Sequence, residues 1–466
     1  PLDAPDAQDP LGLTRAQVAA NPRQATAVAE QYNTRKSVLQ QQAGLRWTRE
    51  SGAQRWQLMG YAGQRAVTQF LPIPPTAQAN PLHAGGVIDL DGGYGGMDAR
   101  WGWNGDFAGR PLDVVAGISA DRQRQHRTSY EHFVGSTLGV RGRQRRDQID
   151  IVQNVDQFAQ AWWQWSPRWS LLAGVRHSTV RFESDDRYIT GSNPDDSGRR
   201  RYQATTPVAG VSFEATPQWR LHAAVGRGFE TPTFNELGYR SDGQAGLALD
   251  LSAARSRNFE VGSKWHAQSG TQLDVSVFRA ITDDELAVAS NTNGRSTYRN
   301  IGRTRRQGVE LQYHQPLAEQ WELQLAWTWL QAQVRSPYLT CGGSGCRVPD
   351  TVVASGSRLP GVPRQQAFAR LQWSPGDWQW ALEANASSDT VVNDLATERA
   401  PGYTVLNLEA GRRWTLPGGD LRAFARLDNL LDQAYIGSVI VNDGNGRFYE
   451  PGPDRRASVG LQWSWR

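Results

Sequence analysis

Cysteine and methionine are nearly absent from this chain, with 2 of each among 466 residues. Cys341 and Cys346 lie close together in Cys-Gly-Gly-Ser-Gly-Cys. Such a pair suits a small disulfide in an oxidising compartment. A metal pair is the rival, but two thiols without a nearby His make an incomplete site. No apolar run approaches the roughly 20 residues of a spanning helix, and mean hydropathy is −0.59. That excludes a helical membrane protein but not a barrel, whose strands alternate apolar and polar residues. Net charge is only +4, from 50 basic and 46 acidic residues, so no nucleic-acid partner is expected. The seven histidines are scattered, with only His126 and His132 close together. Asp89-Leu90-Asp91-Gly92 lacks the other ligands of an EF-hand. No resident metal or cofactor is therefore expected. Nor is an enzyme: there is no Gly-x-Ser-x-Gly elbow and no HExxH pair, though a triad assembled from distant strands stays open. Pro1 is preceded by neither an initiator Met nor an apolar leader, so the chain reads as a fragment or a processed product.

Tryptophan, by contrast, is abundant, and 17 of the 19 lie within a few residues of a short turn. Trp47 and Trp56 flank one turn, and Trp162, Trp163, Trp165 and Trp169 surround Ser166-Pro167. Trp373, Trp378 and Trp380 bracket Ser374-Pro375-Gly376-Asp377. Indole has an apolar body and a polar N–H, which suits the level where hydrocarbon meets headgroup. A ring of Trp at one end of successive hairpins is expected of one rim of a membrane barrel, with the indoles facing lipid. Trp327 and Trp329 are the exceptions, placed farther up the wall on the same outward register.

Period-two alternation supports strands. Trp321, Leu323, Leu325, Trp327 and Trp329 share one face opposite Glu322, Gln324 and Thr328. Leu421, Ala423, Ala425 and Leu427 oppose Arg422 and Arg426, with Phe424 the one apolar residue on the polar face. Short turns are expected near 48–54, 104–110, 166–168, 215–218, 266–270, 315–320, 374–377 and 415–419. Long polar connections alternate with them near 64–90, 127–146, 184–200, 229–256, 284–306, 335–362, 388–402 and 432–455. Tight periplasmic turns and long external loops are the asymmetry of outer-membrane barrels, whereas a soluble sandwich has no reason to keep it. About 17 strands are expected from Lys36 to Arg466, the first and last both descending. Single-chain bacterial barrels have even strand counts, so opening strands are expected to be missing from a barrel of roughly 22. The fold class is thus an all-β, antiparallel transmembrane β-barrel, expected as one partial domain over 1–466 without a plug.

Three segments carry more. Gly226-Arg227-Gly228-Phe229-Glu230-Thr231-Pro232-Thr233-Phe234-Asn235-Glu236-Leu237 enters a long loop and is followed by Asn258-Phe259-Glu260-Val261-Gly262-Ser263-Lys264. Tyr298-Arg299-Asn300-Ile301-Gly302 precedes Gly308-Val309-Glu310. Asn429-Leu430-Leu431-Asp432 with Tyr435 precedes Pro451-Gly452-Pro453. In order and spacing these resemble the barrel motifs of TonB-dependent outer-membrane receptors. Glu230 stands where the family pattern often has Arg. The last strand, Ala457 to Arg466, resembles the C-terminal signal read by the outer-membrane insertion machinery, except that Arg466 stands where a terminal aromatic is usual. The resemblance implies energised import of a scarce solute through the bacterial outer membrane. A ferric siderophore or similar chelate is the first expectation, and the cofactor pyrroloquinoline quinone the second. A passive porin or surface-binding barrel is the rival class. The family implies outer-membrane lipid, lipopolysaccharide and the TonB complex as partners, the last through the plug and its coupling box, and a monomer is expected. Without the plug, residues 1–466 alone are expected not to transport. A weaker resemblance joins Pro5 to Arg15 and Asn33 to Ser37 to a subgroup labelled as iron-chelate receptors, one branch of which is associated with uptake of pyrroloquinoline quinone. The plain alternative there is a polar external loop leading into a strand.

The motif residues are expected to be structural. Pro232 fixes φ and stops a strand, and glycines permit close approach. Glu260, Lys264 and Glu310 are expected to face the lumen, where opposite charges pair with each other or with a plug. For ligand contact, arginine clusters at 122–127, 141–146, 199–201 and 303–306 are candidates, because Arg grips carboxylates bidentately. Contact with lipopolysaccharide phosphate or plain solvation is the alternative for each. The residues singled out are Arg127, Tyr130, His132, Tyr239, Tyr298 and Arg303, the aromatics as stacking surfaces for a planar ligand.

Overall fold

The computed structural model describes residues 2–292, 295–342, 346 and 348–465. Eighteen strands form one sheet, each pairing antiparallel with the next in chain order from Leu2–Gln8 and Arg35–Ser51 to Gly419–Asp428 and Arg456–Trp465. The connections alternate as the sequence indicates. Residues 52–53, 108–109, 217–218 and 417–418 are tight turns, whereas 71–86, 231–253, 335–364 and 429–455 are long. At 108–109, Ala108 and Gly109 both have positive φ, 54° and 71°. That is the two-residue hairpin geometry whose twist matches its flanking strands. It joins Val87–Phe107 to Arg110–Tyr130 in 21 uninterrupted cross-strand pairs.

Several strands run higher than the alternation alone suggests. Gln54–Phe70 and Val87–Phe107 leave a loop of 71–86 rather than 64–90, and the strand ending at Tyr130 carries Arg127. The first strand, Leu2–Gln8, lies where a polar loop was the plain expectation, which makes the count eighteen rather than about seventeen. Pro5 hides it: proline removes a ladder donor, and the register shifts between Ala4 and Ala7. Residues 9–34 are also ordered, with helices Arg15–Ala20 and Ala27–Tyr32. Thr14 and Gln17 cap the first reciprocally. This segment crosses to the last external loop, where Leu13 bridges Tyr449 and Arg23 pairs with Asp432 and Asp454 at 2.7 and 2.8 Å.

The two faces of the wall differ in kind. Outward positions include Leu45, Val261, Val459 and Leu461, exposed by 62–83%, an area of apolar surface suited to lipid. Buried apolar residues cluster instead at the loop end, around Leu237, Val334 and Tyr449. The tryptophan rim follows register: Trp56 faces Trp101, Trp219 faces Trp265, and Trp373 lies between Trp321 and Trp380. Trp162 corrects the expectation that the rim indoles face lipid. It stands opposite Asp113 and Leu172, on the same face as Asp156 and Arg176, which line the lumen. Adjacent strand residues point to opposite faces, so Trp162 and Trp163 cannot both be outward. Phe424 is explained by a neighbour: a Cβ at Gly460 would come 2.4 Å from its ring, so glycine lets the ring lie across the strand.

Candidate functional site

Beneath the external loops, the lumen opens into a cavity of about 1120 Å³. Wall strands supply Lys36, Arg65, Arg127, Arg176 and Arg227, and Asp156, the single carboxylate in the lining among the described residues, pairs with Arg176 at 3.1 Å. The loop 231–253 supplies the rest of one side. Pro232 ends the strand Trp219–Glu230, and the short helix Phe234–Leu237 follows at once. Thr233 and Glu236 form a reciprocal capping box at its start. Leu237 anchors it in an apolar cluster, and the Phe234 ring meets Phe182 edge-on at 5.2 Å. Phe234, Asn235 and Tyr239 are thereby held in the cavity wall.

Tyr239 is the centre of an unusual cluster. The guanidinium carbons of Arg295, Arg127 and Arg146 lie 4.2, 5.2 and 5.5 Å from its ring centroid. Their hydrogen bonds go to neutral groups. Arg295 contacts His83 and donates to the Gly85 carbonyl, and Arg146 donates to the Gly238 carbonyl. The Nε of Arg127, the Nε of Arg295 and the Oη of Tyr239 are buried without a hydrogen-bond partner. Among the described residues none of the three forms an ion pair with a carboxylate, Asp196 acting on Arg146 only at longer range; buried cations so placed are costly, so an anion is favoured here. Burial pushes the Tyr239 phenol up, but the charges of Arg295, Arg127 and Arg146 pull it down further, to about 7. Gly238 permits the approach, since a Cβ there would lie 3.1 Å from Arg127 Nη1. Arg295 arrives on the hairpin of Leu286–Thr292 and Arg295–Asn300, which reaches across the mouth to 71–86 and to Asn442.

Of the six residues singled out from sequence, the cavity brings together Arg127, Tyr239 and Tyr298. The others lie elsewhere. His132 is fully buried between the rings of Tyr32 and Phe70, with Nδ1 on the Leu71 carbonyl. Burial lowers its pKa, keeping it neutral. Tyr130 stacks with Arg141 at 4.6 Å. Arg303 donates to Asp283 at 2.6 Å, a carboxylate that also pairs with Arg257. The arginine clusters split by strand parity: Arg122 and Arg124 are exposed, whereas Arg127 and Arg146 are buried. Sequence reasoning missed Arg295, Lys36, Arg65 and Arg176. Parity along each strand, counted inward from Arg127, is the signal that finds the wall residues.

The motif residues hold the framework. The Asn300 side chain clamps Ser252 at both backbone groups and also donates to the Asp284 carbonyl. Asn429, at φ 51°, donates to the Gln433 and Pro453 carbonyls. Asp432 accepts from Arg23 and the Arg455 N–H. Tyr435 packs on Tyr403 at 4.7 Å, and its ring occupies the space a Cβ at Gly452 would need. Glu260 pairs with His222 at 3.0 Å, and a Cβ at Gly262 would come 2.3 Å from that imidazole. A Cβ at Gly228 would meet Ser256 Oγ at 2.3 Å, while Gly226 sits against Val208. Phe229 joins the cluster around Tyr202. Gly308 lies under Phe278 and 2.2 Å, by the same measure, from the Trp329 carbonyl oxygen. Glu310 is exposed on the lumen register beside Ser276 and Thr328. Cys341 and Cys346 are joined by a disulfide.

Known proteins share this architecture. The chain is 23% identical over 280 residues to the probable TonB-dependent siderophore receptor PiuA of Acinetobacter baumannii, covering 58% of the chain and 36% of that protein. It is 24% identical over 307 residues to the metal-pseudopaline receptor CntO of Pseudomonas aeruginosa, covering 64% and 39%. The chain thus spans under two fifths of the length of these relatives. Among solved structures, unliganded ferric citrate transporter FecA superposes with a TM-score of 0.75 at 16% identity, over 98% of this chain and 65% of that one. The PiuA structure gives 0.73 at 15%, over 92% and 65%. The family model described as TonB dependent receptor-like, beta-barrel matches residues 3–430. The chain belongs to the β-barrel family of TonB-dependent receptors, proteins of the Gram-negative outer membrane.

Proposed function

We propose that this chain forms the wall and vestibule of a receptor that takes up an anionic metal chelate, with its ligand held by Arg127, Arg146, Arg295 and Tyr239. The observation that carries this is three guanidiniums packed on one phenol at the cavity wall, none of which forms an ion pair with a carboxylate among the described residues, Asp196 acting on Arg146 only at longer range. A carboxylate or catecholate edge would supply that charge, and Arg presents the planar fork to receive it. The relatives named for siderophores, metals and ferric citrate support a chelate as cargo. TonB coupling is proposed for the whole receptor, since this chain matches only part of its relatives. Binding and import replace catalysis in this account.

Pyrroloquinoline quinone is the second reading, favoured by the aromatic surfaces of Phe234, Tyr239 and Tyr298 beside those arginines, which suit a planar polycarboxylate. Titration of the receptor with ferric citrate, anionic ferric siderophores and pyrroloquinoline quinone tests both. Saturable binding that weakens with salt supports an anion site, and binding of none of them sinks the proposal.

A further inference from the structure

His83, in the loop 71–86, has one lone pair too few for its neighbours. Its Nδ1 accepts from the Gly85 N–H at 3.1 Å, and its Nε2 lies 2.9 Å from an Nη of Arg295. An arginine nitrogen only donates, and a neutral imidazole has one lone pair and one N–H. Two donors therefore face a ring that can accept from only one. Protonation would remove the remaining lone pair, and it does not occur near neutral pH. Burial, with the charges of Arg295, Arg145 and Arg146, holds the ring's pKa down at about 3.

The backbone decides which donor is unmatched. Gly85 has a φ of 79°, and a Cβ there would run into the Tyr130 carbonyl. Gly86 donates to that same carbonyl at 2.9 Å, and the Gly85 carbonyl accepts from Arg295 at 2.7 Å. His83 is set by a turn in which its own N–H donates to the Asn80 carbonyl, and Arg145 holds the Asn80 and Gln78 carbonyls. The Gly85 N–H is thus fixed on Nδ1, so Nε2 carries the hydrogen. That hydrogen points at an arginine nitrogen that carries hydrogens of its own. Arg295 is the partner that can turn. One neutral carbonyl is its other acceptor, its Nε is buried without a partner, and its guanidinium already rests on Tyr239.

We infer that His83 is a ligand-binding residue of the anion site proposed above, on which this inference rests. An oxygen of the anionic chelate beside the Arg295–His83 contact accepts from both, the guanidinium turning off the ring and Nε2–H donating as a neutral partner. An oxyanion with two acceptor edges suits the place, one edge for the guanidiniums around Tyr239 and one for His83. The purified receptor, labelled with nitrogen-15 at histidine, is titrated with gallium(III) citrate, the diamagnetic counterpart of ferric citrate, alongside H83N and H83Q. Asparagine keeps an acceptor for the Gly85 N–H but has no donor at the Nε2 position, whereas glutamine places an N–H there. Without ligand, His83 is expected to hold its proton on Nε2, and saturating gallium citrate is expected to shift that nitrogen. H83N is expected to bind about tenfold more weakly at an unchanged melting temperature, and H83Q within about threefold of the unaltered protein. A proton on Nδ1, an Nε2 signal unmoved at saturation, unchanged affinity in H83N or equal loss in the two variants overturns the inference and leaves the anion site standing. No binding of gallium citrate by the unaltered protein overturns both.

Discussion

Arg295 and Tyr239 are in contact across 56 residues of chain, the guanidinium carbon 4.2 Å from the ring centroid. A hairpin over the barrel mouth thereby closes onto a loop that lines the lumen. The phenol beneath is held at about 7 rather than its ordinary value near 10, since the arginine charges outweigh burial.

A pH dependence follows from that shift. An acid whose folded pKa lies below its unfolded one stabilises the fold fully above the unfolded value, about pH 10. The contribution declines as pH falls and is gone below about 7. Unfolding titrations of wild type and Y239F are expected to diverge with rising pH across this window. Tyrosinate ultraviolet absorbance is expected to titrate near pH 7 and to vanish in the variant. Asp196 behaves oppositely: burial and then Asp186 raise it to about 6. Its contribution is therefore lost as pH rises from about 4 to 6, outside the Tyr239 window.

Ligand affinity is expected to follow the same proton. A phenolate at Tyr239 satisfies the arginines that an anionic ligand needs, so affinity falls as pH rises through 7. In Y239F that pH dependence disappears. A binding curve equally steep in the variant contradicts the assignment.

Stability and binding are expected to separate at Arg127. R127Q removes one of three crowded buried cations, so the fold is unchanged or slightly stabilised. Loss of a charged hydrogen bond costs about 1.5–3 kcal/mol, or about 10–150-fold in affinity for an anionic chelate. Calorimetric titration and urea unfolding on the same sample read both quantities.

At Gly308 the expected effect is structural. A Cβ there meets the Trp329 carbonyl and the Phe278 ring, and the carbonyl belongs to the ladder and cannot swing away. G308A is expected to destabilise by about 1–3 kcal/mol. T233A, by loss of the helix cap, is expected to cost about 1 kcal/mol locally and to weaken ligand binding through misplacement of Phe234. Hydrogen exchange in residues 231–240 checks the second.

Period-two patterning, turn chemistry and tryptophan placement made the wall legible in the sequence, because each strand reads independently of its partners. Leu2–Gln8 was illegible because an edge strand with Pro5 has neither alternation nor a full ladder. Arg127 and Tyr239 were visible as residue types that suit an anion. Their meeting with Arg295 was not, since it depends on where a loop hairpin folds, and nothing in the hairpin's own residues points to Tyr239. His132 misled for a related reason: an aromatic in a polar loop reads as accessible, yet Tyr32 and Phe70 come from distant segments to cover it.

The most direct test is equilibrium binding of ferric citrate against an uncharged ferric hydroxamate of similar size, to wild type and R295Q, at pH 6.5 and at low and high salt (pH chosen about half a unit below the Tyr239 value). The account predicts binding of the anionic chelate, weakened at least tenfold by R295Q and by salt, with little binding of the neutral one. Equal affinity for both chelates, unaffected by R295Q, contradicts it.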